Sequence, residues 1–389
     1  MADEIAVLIV DDSALMRNLI GKMVEETPGL IIADKAMNGR FALDKIPRVN
    51  PDIICLDLEM PEMNGIEFLR ERKRLGIEIP VVILSSIAAR GAEITMEALA
   101  LGASDFVQKP SGSISGDIHT VHDTLIPMLV GYGGQYRKLK GKKVLTAQEV
   151  MAQVKAAPAA SQTPGGTPPR TDYISSILGP LNPASPAKAP TPIRKPAKTD
   201  IIAIGISTGG PDALRVVFSK LDADLKIPIV VVQHMPPGFT SEFAKSLDRI
   251  CPLDVKEAEE GDAIIPGRVI IAQGNKHLEV ERQGTQVVAH LSDAPLVSGH
   301  RPSADVLFAS VALVYQNHAL GVIMTGMGRD GAQQLGTIYK EGGMTLGQDE
   351  HSSVVYGMPR VAYELGHVME QVTLDNMASR ICSVAKAVR

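Results

Sequence analysis

The sequence predicts two α/β domains, each built on a doubly wound parallel sheet, and a flexible linker that joins them. In both halves of the chain, short apolar runs of strand length alternate with stretches of 3.6-residue periodicity, a pattern typical of parallel β-α-β units. The length of 389 residues also exceeds what one hydrophobic core normally supports. We therefore assign residues 1–138 to a first domain, residues 139–197 to the linker and residues 198–389 to a second domain.

The composition is globular, without a strong charge bias. Hydrophobic residues make up 45% of the chain and charged residues 21%, which is enough apolar material to form cores. The net charge of −5 disfavours sequence-independent binding of nucleic acid, which needs a basic surface. No run approaches the ~20 apolar residues that span a bilayer, and acidic residues stand where a signal peptide would carry lysine or arginine. We expect a cytoplasmic protein that is not embedded in a membrane and does not bind nucleic acid.

The linker is predicted from its proline content. Ten of the 26 prolines in the chain lie between residues 151 and 199, together with a single aromatic residue, Tyr173. Such a segment buries too little apolar surface to offset the entropy cost of ordering its backbone. About sixty residues of flexible chain would separate their ends by roughly 40–50 Å, so the two domains can touch or part.

The first domain carries a polar residue at the end of each apolar run. The runs are "VLIV", "DIICLDL", "VVILSS" and "DFVQKP", and helical periodicity separates them, as in "SALMRNLIGKMVEE" and "ITMEALALG". Because the carboxyl ends of parallel strands line one crevice, these polar residues should meet there. They are Asp11, Asp12, Asp57, Ser85 and Lys109.

These residue types favour a phosphorylation site. Three carboxylates in one crevice repel one another unless a cation lies among them, and their hard oxygen ligands suit Mg²⁺. Lys109 would add a positive charge and Ser85 a hydroxyl donor for a phosphoryl group formed on Asp57. Taken singly, each acidic residue could equally be a solvated strand end.

With these residues, about residues 5–130 resemble the receiver domain of response regulators, which has a flavodoxin-like fold. The resemblance implies that Asp57 accepts a phosphoryl group from a histidine kinase. It also implies that Asp12, Asp57 and the carbonyl of Glu59 hold Mg²⁺ with Asp11 nearby, and that Ser85 and Phe106 form a switch pair. A phosphoryl group adds about two negative charges at neutral pH, enough to pull a hydroxyl and a lysine toward it.

The second domain repeats the alternation and places Ser, His and Asp at three strand ends. Its strand-like runs are "IIAIGIS", "IPIVVVQH", "RVIIAQG" and "ALGVIMTG", and "LEVERQGTQVVAHL" predicts a hairpin. Ser207 lies in G-x-S-x-G, the spacing of a nucleophile elbow. His234 ends the second run, and Asp330 lies in a glycine-rich loop beyond the fourth.

Each of the three residues also has a simpler interpretation. Small residues around Ser207 could only tighten a packing or phosphate-binding turn, His234 could be an ordinary loop histidine, and Asp330 could cap the helix that begins near Gly331. Together they favour a catalytic triad in which Ser207 attacks, His234 transfers the proton and Asp330 orients the imidazole. The backbone amides of Thr208 and Met327 would then face the oxyanion. The order Ser, His, Asp along the chain differs from that of α/β-hydrolases.

The main rival to His234 as the base is His300, in "SGHRPSADVLFAS". It precedes Arg301, a proline and the predicted helix cap Ser303, instead of ending a strand. We expect His300 to line the cleft with Arg301, whose guanidinium could hold a carboxylate or an amide of the substrate.

The motifs "GISTGG", "VVVQHMPPGFT", "HRPSADVLF" and "MTGMGRDGA" behind a receiver domain resemble the protein-glutamate methylesterase/protein-glutamine glutaminase family of chemotaxis response regulators. The resemblance implies a Rossmann-like catalytic domain that hydrolyses glutamyl methyl esters, and deamidates glutamines, on chemoreceptor helices. It implies no cofactor for this ester chemistry. It also implies that phosphorylation of the receiver uncovers the catalytic crevice.

Two other functions remain open from the sequence. A response regulator with a nucleic-acid-binding output would need a helix-turn-helix pattern or a basic stripe after residue 200, and neither is present. A non-catalytic output that only binds receptor helices is disfavoured because Ser207, His234 and Asp330 are all retained.

Overall fold

A computed structural model describes residues 4–85, 89–109, 117–141 and 190–387 of the chain. The chain divides into two compact units, Met1–Pro183 and Ala184–Arg389. Most of the predicted linker, residues 142–189, lies outside the described residues. Among the described residues, no helix combines the length and the apolar character needed to cross a bilayer.

The first unit is a five-stranded parallel sheet in the order β2-β1-β3-β4-β5. Its strands are β1 Ile5–Val10, β2 Leu30–Ala36, β3 Ile53–Asp57, β4 Val81–Ser85 and β5 Asp105–Gln108. Its helices are α1 Ala14–Glu25, α2 Gly39–Val49, α3 Gly65–Arg74, α4 Ala89–Ala100 and α5 Asp117–Leu139. Because the strand order reverses between β1 and β3, a crevice lies at the carboxyl ends of these two strands.

Polar caps set the helix starts that surround this crevice. Ser13 accepts a hydrogen bond from the Met16 amide at the start of α1. Asn64 forms a capping box with Glu67 at the start of α3, which satisfies amides that the first turn leaves unpaired. α1 begins shortly after β1, and the start of α3 is joined to the end of β3 by the Gly65 amide, which donates to the Leu58 carbonyl at 3.0 Å. Both helix starts thus lie at strand ends that carry acidic residues.

The second unit is a seven-stranded parallel sheet in the order β14-β13-β12-β6-β7-β9-β8, with an antiparallel hairpin β10-β11 beside it. Its strands are β6 Ile201–Ile206, β7 Ile229–Gln233, β8 Asp254–Glu257, β9 Arg268–Ile271, β10 His277–Gln283, β11 Gln286–Ser292, β12 Ala319–Ile323, β13 Met344–Gln348 and β14 Glu370–Val372. Its helices are α6 Gly210–Phe218, α7 Phe239–Asp248, α8 Ala304–Tyr315, α9 Ala332–Glu341, α10 Met358–Glu364 and α11 Leu374–Lys386.

The central strand β6 carries a glycine because α8 packs directly on it. A Cβ atom at Gly205 would lie 2.8 Å from Cβ of Ala304 and 3.0 Å from the ring of Phe308. Both of these residues are fully buried in the core of the unit. The glycine therefore lets the start of α8 lie close to the carboxyl end of β6, where the site forms.

Apolar runs in the sequence do not predict four of the strands, which are β2, β8, β13 and β14. β2 has intermediate exposure along most of its length, and its sequence includes Asp34 and Lys35. β8 is the short run "DVKE" at the sheet edge, and β14 has only three residues. Edge strands such as β2, β8 and β14 carry mixed polar and apolar residues, so the apolar-run criterion misses them.

The chain enters the second unit before residue 198. The amide of Ile193 donates to the carbonyl of Lys340, and Asn317 donates to the carbonyl of Lys195 at 2.9 Å. The composition criterion had placed these positions in the linker, because prolines continue to Pro196.

Candidate active site

Ser207 lies at a sharp turn between β6 and α6. β6 ends at Ile206, and Gly209, with φ of 83°, leads into the helix. The Ser207 amide donates to the carbonyl of Thr325 at 3.0 Å, which joins this turn to the loop after β12. A Cβ atom at Gly326 would lie 2.8 Å from Cβ of Ser207, so the loop approaches the serine only because a glycine stands there.

The side chains of His234 and Asp330 complete a hydrogen-bonded chain with Ser207. His234 Nδ1 lies 3.0 Å from Ser207 Oγ, and His234 Nε2 lies 2.8 Å from Asp330 Oδ2. The strands that precede the three residues, β12, β6 and β7, are neighbours in the sheet. Because a carboxylate only accepts hydrogen bonds, this network assigns the imidazole proton to Nε2 and leaves Nδ1 free to accept the serine proton.

Asp330 also closes the amino terminus of α8. Its Oδ1 accepts from Ser303 Oγ at 2.6 Å and from the Asp305 amide at 3.2 Å, and its Oδ2 accepts from the Ala304 amide at 2.7 Å. Burial opposes ionisation, but the hydrogen bonds from His234, Ser303 and Ala304 prevail and hold the pKa of Asp330 below its usual range. The carboxylate is therefore a fixed negative charge beside the imidazole.

Two backbone amides near Ser207 have no partner in the described part of the chain. They belong to Thr208, the residue after the serine, and to Met327, in the loop that touches the serine. Unpaired amides that adjoin a nucleophile are suited to bind the oxyanion of a tetrahedral intermediate.

The first unit gathers its acidic residues at the crevice between β1 and β3. Carboxylate oxygens of Asp11, Asp12 and Asp57 all lie within 4.8 Å of one another. Lys109 Nζ lies 2.7 Å from Asp57 Oδ2 and 3.2 Å from Asp11 Oδ2. Burial raises the pKa of Asp57, and Lys109 offsets only part of this effect. Burial disfavours the Lys109 ammonium, but attraction by Asp57 and Asp11 prevails and raises the pKa of Lys109.

This acidic cluster fits a hard divalent cation. Asp11 Oδ2 is buried, and its one partner among the described residues is the Lys109 ammonium, 3.2 Å away, so the oxygen can still accept a further ligand. Carboxylate oxygens are the protein ligands that Mg²⁺ prefers, with water and phosphate oxygens at its other positions. The Glu59 amide donates to Asp57 Oδ1 at 3.2 Å, which brings the backbone of Glu59 to the same place.

Ser85 and Phe106 lie on neighbouring strands beside this cluster. Ser85 ends β4, and Phe106, on β5, pairs with Ile83 of β4. Ser85 Oγ lies 2.5 Å from Thr95 Oγ1, which donates to the Gly91 carbonyl at 2.6 Å, so the Ser85 hydroxyl faces α4. The Phe106 ring is buried.

Comparison with known proteins gives two family matches. A family model described as CheB methylesterase matches residues 202–381, and one described as response regulator receiver domain matches residues 7–115. A protein-glutamate methylesterase/protein-glutamine glutaminase of Treponema denticola is 60% identical over 97% of this chain and 98% of its own length. The chain belongs to this family. The Treponema pallidum relative of the same name is 53% identical over 97% of this chain and 96% of its own length.

The family also includes solved structures. The CheB methylesterase catalytic domain of Thermotoga maritima is 36% identical, with a TM-score of 0.47, and covers 48% of this chain and 100% of its own. The resemblance in the sequence analysis thus identified the family correctly. The prediction of α/β domains with parallel sheets is confirmed as well.

Two predicted cleft residues of this family member have different surroundings. His300 stacks on His234, with ring centroids 3.8 Å apart and an angle of 12° between the rings. Arg301 instead donates to Asn275 Oδ1 at 2.9 Å and to the carbonyls of Asp293 and Ala294 at 2.8 and 3.1 Å. These contacts bind the guanidinium to Asn275, in the loop before β10, and to the backbone at Asp293 and Ala294, and the substrate role of Arg301 stays a prediction.

Gln233, which was not among the predicted site residues, links the ends of β6 and β7. Its Nε2 donates to the carbonyl of Ser207 at 3.1 Å and to that of His234 at 3.0 Å. A Cβ atom at Gly210 would lie 1.9 Å from Gln233 Oε1, so the second glycine of "STGG" makes room for this amide. The signal was a second polar residue at the end of an otherwise apolar strand, directly before the histidine.

Proposed function

We propose that this chain is a phosphorylation-activated serine hydrolase that removes methyl esters from glutamyl residues of chemoreceptors and deamidates glutamines there. The observation that carries this proposal is the hydrogen-bonded chain from Ser207 through His234 to Asp330, beside two unpaired amides. The names of the Treponema relatives supply the substrate class. A non-catalytic output domain would have no need for this geometry.

The acylation step follows from the geometry. Ser207 Oγ attacks the side-chain carbonyl carbon of the glutamyl ester, and its proton passes to His234 Nδ1 at 3.0 Å. The carbonyl oxygen becomes an oxyanion that accepts from the Thr208 and Met327 amides. When the intermediate collapses, His234 returns the proton to the departing oxygen, and methanol leaves. With glutamine, the same step releases ammonia.

Deacylation repeats the sequence with water. His234 Nδ1 takes a proton from a water molecule that attacks the acyl carbon, and Ser207 then recovers its proton as the glutamate carboxylate leaves. In both steps the imidazole becomes a cation. The negative charge of Asp330, 2.8 Å from Nε2, stabilises that cation and keeps the ring in the required tautomer.

The receiver supplies the proposed control of this activity. We propose a receiver at 1–138, a linker at 139–197 and a catalytic domain at 198–389, with the last linker residues, from Ile193, already packed on the catalytic domain. A histidine kinase is the proposed phosphodonor. Asp57 is the acceptor. Asp12, Asp57 and the carbonyl of Glu59, with Asp11 nearby, would hold Mg²⁺, which neutralises charge on the transferring phosphoryl group. Lys109 contacts the phosphoryl group, and Ser85 and Phe106 act as the switch pair.

Release of methanol from methylated receptors tests the hydrolase proposal. We expect the full chain to release labelled methanol from receptor membranes methylated with labelled methyl groups, and to release ammonia from receptors that carry glutamine at the same positions. Both products should increase in proportion to enzyme concentration. If neither product appears with a phosphodonor and Mg²⁺ present, the proposal is wrong.

The Asp57→Asn variant tests the control by phosphorylation. Carbamoyl phosphate with Mg²⁺ should raise methanol release by the unmodified chain several-fold, and the variant should show no rise, because an amide cannot accept the phosphoryl group. Chelation of the divalent cation should likewise abolish the rise in methanol release by the unmodified chain. Asp44→Asn is the matched control, since Asp44 is exposed on α2. A rise that persists in Asp57→Asn would exclude this aspartate as the acceptor.

A further inference from the structure

His300 covers one face of the imidazole that transfers the proton. The two rings are nearly parallel, at 12°, and their centroids are 3.8 Å apart. The hydrogen bonds to Ser207 and Asp330 hold the two nitrogen atoms at the edge of the His234 ring, but they leave the ring free to tilt about the line that joins them. A second ring stacked on its face restrains that tilt.

A tight turn fixes the position of His300. Val297 and His300 exchange backbone hydrogen bonds of 3.1 and 2.9 Å, and the two residues between them, Ser298 and Gly299, have φ of 53° and 83°. Two consecutive residues with positive φ are typical of a type I′ turn, which is rigid. Ser298 Oγ also donates to Asp305 Oδ2 at 3.1 Å.

The same helix start that holds Asp330 also holds this turn. Asp305, in the first turn of α8, accepts from Ser298 through one oxygen and from the Gln334 amide, at 3.0 Å, through the other. Its neighbour Ser303 donates to Asp330 at 2.6 Å. One short segment, residues 298–305, thus contacts both the His300 turn and the Asp330 carboxylate. It fixes the position of the stacked ring relative to the charged partner of His234.

The surroundings of His300 exclude a role as the base. Among the described residues, neither of its ring nitrogens makes a hydrogen bond, whereas His234 bonds both other members of the triad. Burial, assisted by the nearby His234, lowers the pKa of His300 to about 4. The ring is therefore uncharged at neutral pH and does not repel the imidazolium that forms on His234.

We propose that His300 is a positioning residue, whose stacked ring keeps the His234 imidazole in the plane that joins Ser207 to Asp330 during acyl transfer. The expected effect of His300 on the reaction rate rests on the hydrolase proposal. The restraint on the His234 ring can be measured without any substrate. It depends on the aromatic face of His300 and not on its nitrogens.

Three substitutions separate the ring face from the nitrogens. His300→Phe keeps a stacked ring, His300→Asn keeps a polar group without a ring, and His300→Ala removes both. For methanol release by the full chain, we expect the Ala and Asn variants to lose about 10- to 100-fold in kcat with KM changed less than about threefold. The Phe variant should stay within about threefold of the unmodified chain. His318→Ala is the matched control, because His318 lies at the amino end of β12, whereas the site lies at the carboxyl ends of the strands.

Nitrogen-15 NMR of labelled histidine rings gives a readout that needs no substrate. In the unmodified chain and in His300→Phe, the His234 ring should show one tautomer, with the proton on Nε2. In His300→Ala its signals should average between tautomers or broaden, while the unfolding midpoint shifts by no more than a few degrees. If His300→Phe loses kcat as His300→Ala does, or if the His234 tautomer is unchanged in His300→Ala, the proposal is wrong. If His300→Ala shows the tautomer change but the unmodified chain releases no methanol, only the hydrolase proposal is contradicted.

Discussion

Replacing Ser207 by alanine is expected to lower methanol release by about 10⁴-fold or more, the largest effect of any single change in the second unit. The variant removes the only atom that can form the acyl intermediate, and His234 Nδ1 then has no hydroxyl to deprotonate. The residual rate would come from the oxyanion amides and from substrate binding, which remain. KM should change little, because Ser207 Oγ contributes to the transition state more than to substrate binding.

The control for this variant is Ser379→Ala. Ser379 lies on the exposed side of α11, and within the described part of the chain its hydroxyl donates only to the Asn376 carbonyl of its own helix. This variant should retain full activity, and both variants should unfold at nearly the same temperature as the unmodified chain, since neither removes core packing. Undiminished methanol release by Ser207→Ala would remove the serine from the mechanism and leave its contact with His234 without a catalytic purpose.

The sequence was sufficient to predict that the three side chains lie at the carboxyl ends of strands in one parallel sheet. Each of Ser207, His234 and Asp330 follows an apolar run, and parallel strands point their carboxyl ends the same way. What the sequence could not provide is the strand order. Only the pairing of β6 with both β7 and β12 makes the three ends adjacent, and the pairing of β6 with β12 links positions more than a hundred residues apart.

The partners of Asp330 show a second limit. A helix cap was one of the interpretations open for this residue, and the helix expected was the one that begins near Gly331. The structure does place the carboxylate at a helix start, but at that of α8, whose first residue is Ala304. A cap on the following helix is a local pattern that can be read from sequence, whereas a cap on a preceding helix requires the tertiary fold.

The orientation of the histidine ring was also beyond the sequence. Nδ1 faces the serine and Nε2 faces the aspartate, and the opposite arrangement would use the same three residue types. The choice depends on the backbone position of His234, which the amide of Gln233 fixes by donating to the carbonyls on both sides of the cleft. Gln233 therefore matters to the geometry although it contacts no reacting atom.

Replacing Asp330 by asparagine is expected to lower kcat by about 10²- to 10⁴-fold and to destabilise the second unit as well. The amide nitrogen must take the place of one carboxylate oxygen. In the position of Oδ2 it would face the Ala304 amide and the Nε2 proton of His234, which both need an acceptor. In the position of Oδ1 it would face the Asp305 amide. Either orientation opposes a donor to a donor, and both remove the charge that stabilises the imidazolium.

The stability of this variant provides a second measurement. Loss of one buried acceptor at the start of α8 should cost about 1–3 kcal/mol in the free energy of unfolding at pH 7. Because folding lowers the pKa of Asp330, its contribution is fully present above the pKa of the unfolded chain and is lost as the pH falls through the folded value. The difference between the unmodified chain and Asp330→Asn should therefore shrink in acid.

Asp375→Asn is the control, since Asp375 is exposed at the first turn of α11 and its side chain makes, among the residues that the structure describes, only a surface ion pair with Lys220 at 3.5 Å. Urea unfolding at pH 7 and at pH 3, with methanol release measured on the same preparations, checks both effects. A variant that keeps its stability but loses activity would show that the cap on α8 does not depend on the charge of Asp330. A variant that keeps its activity would show that the tautomer and charge of His234 are maintained without Asp330, which would exclude this residue as the third member of the triad.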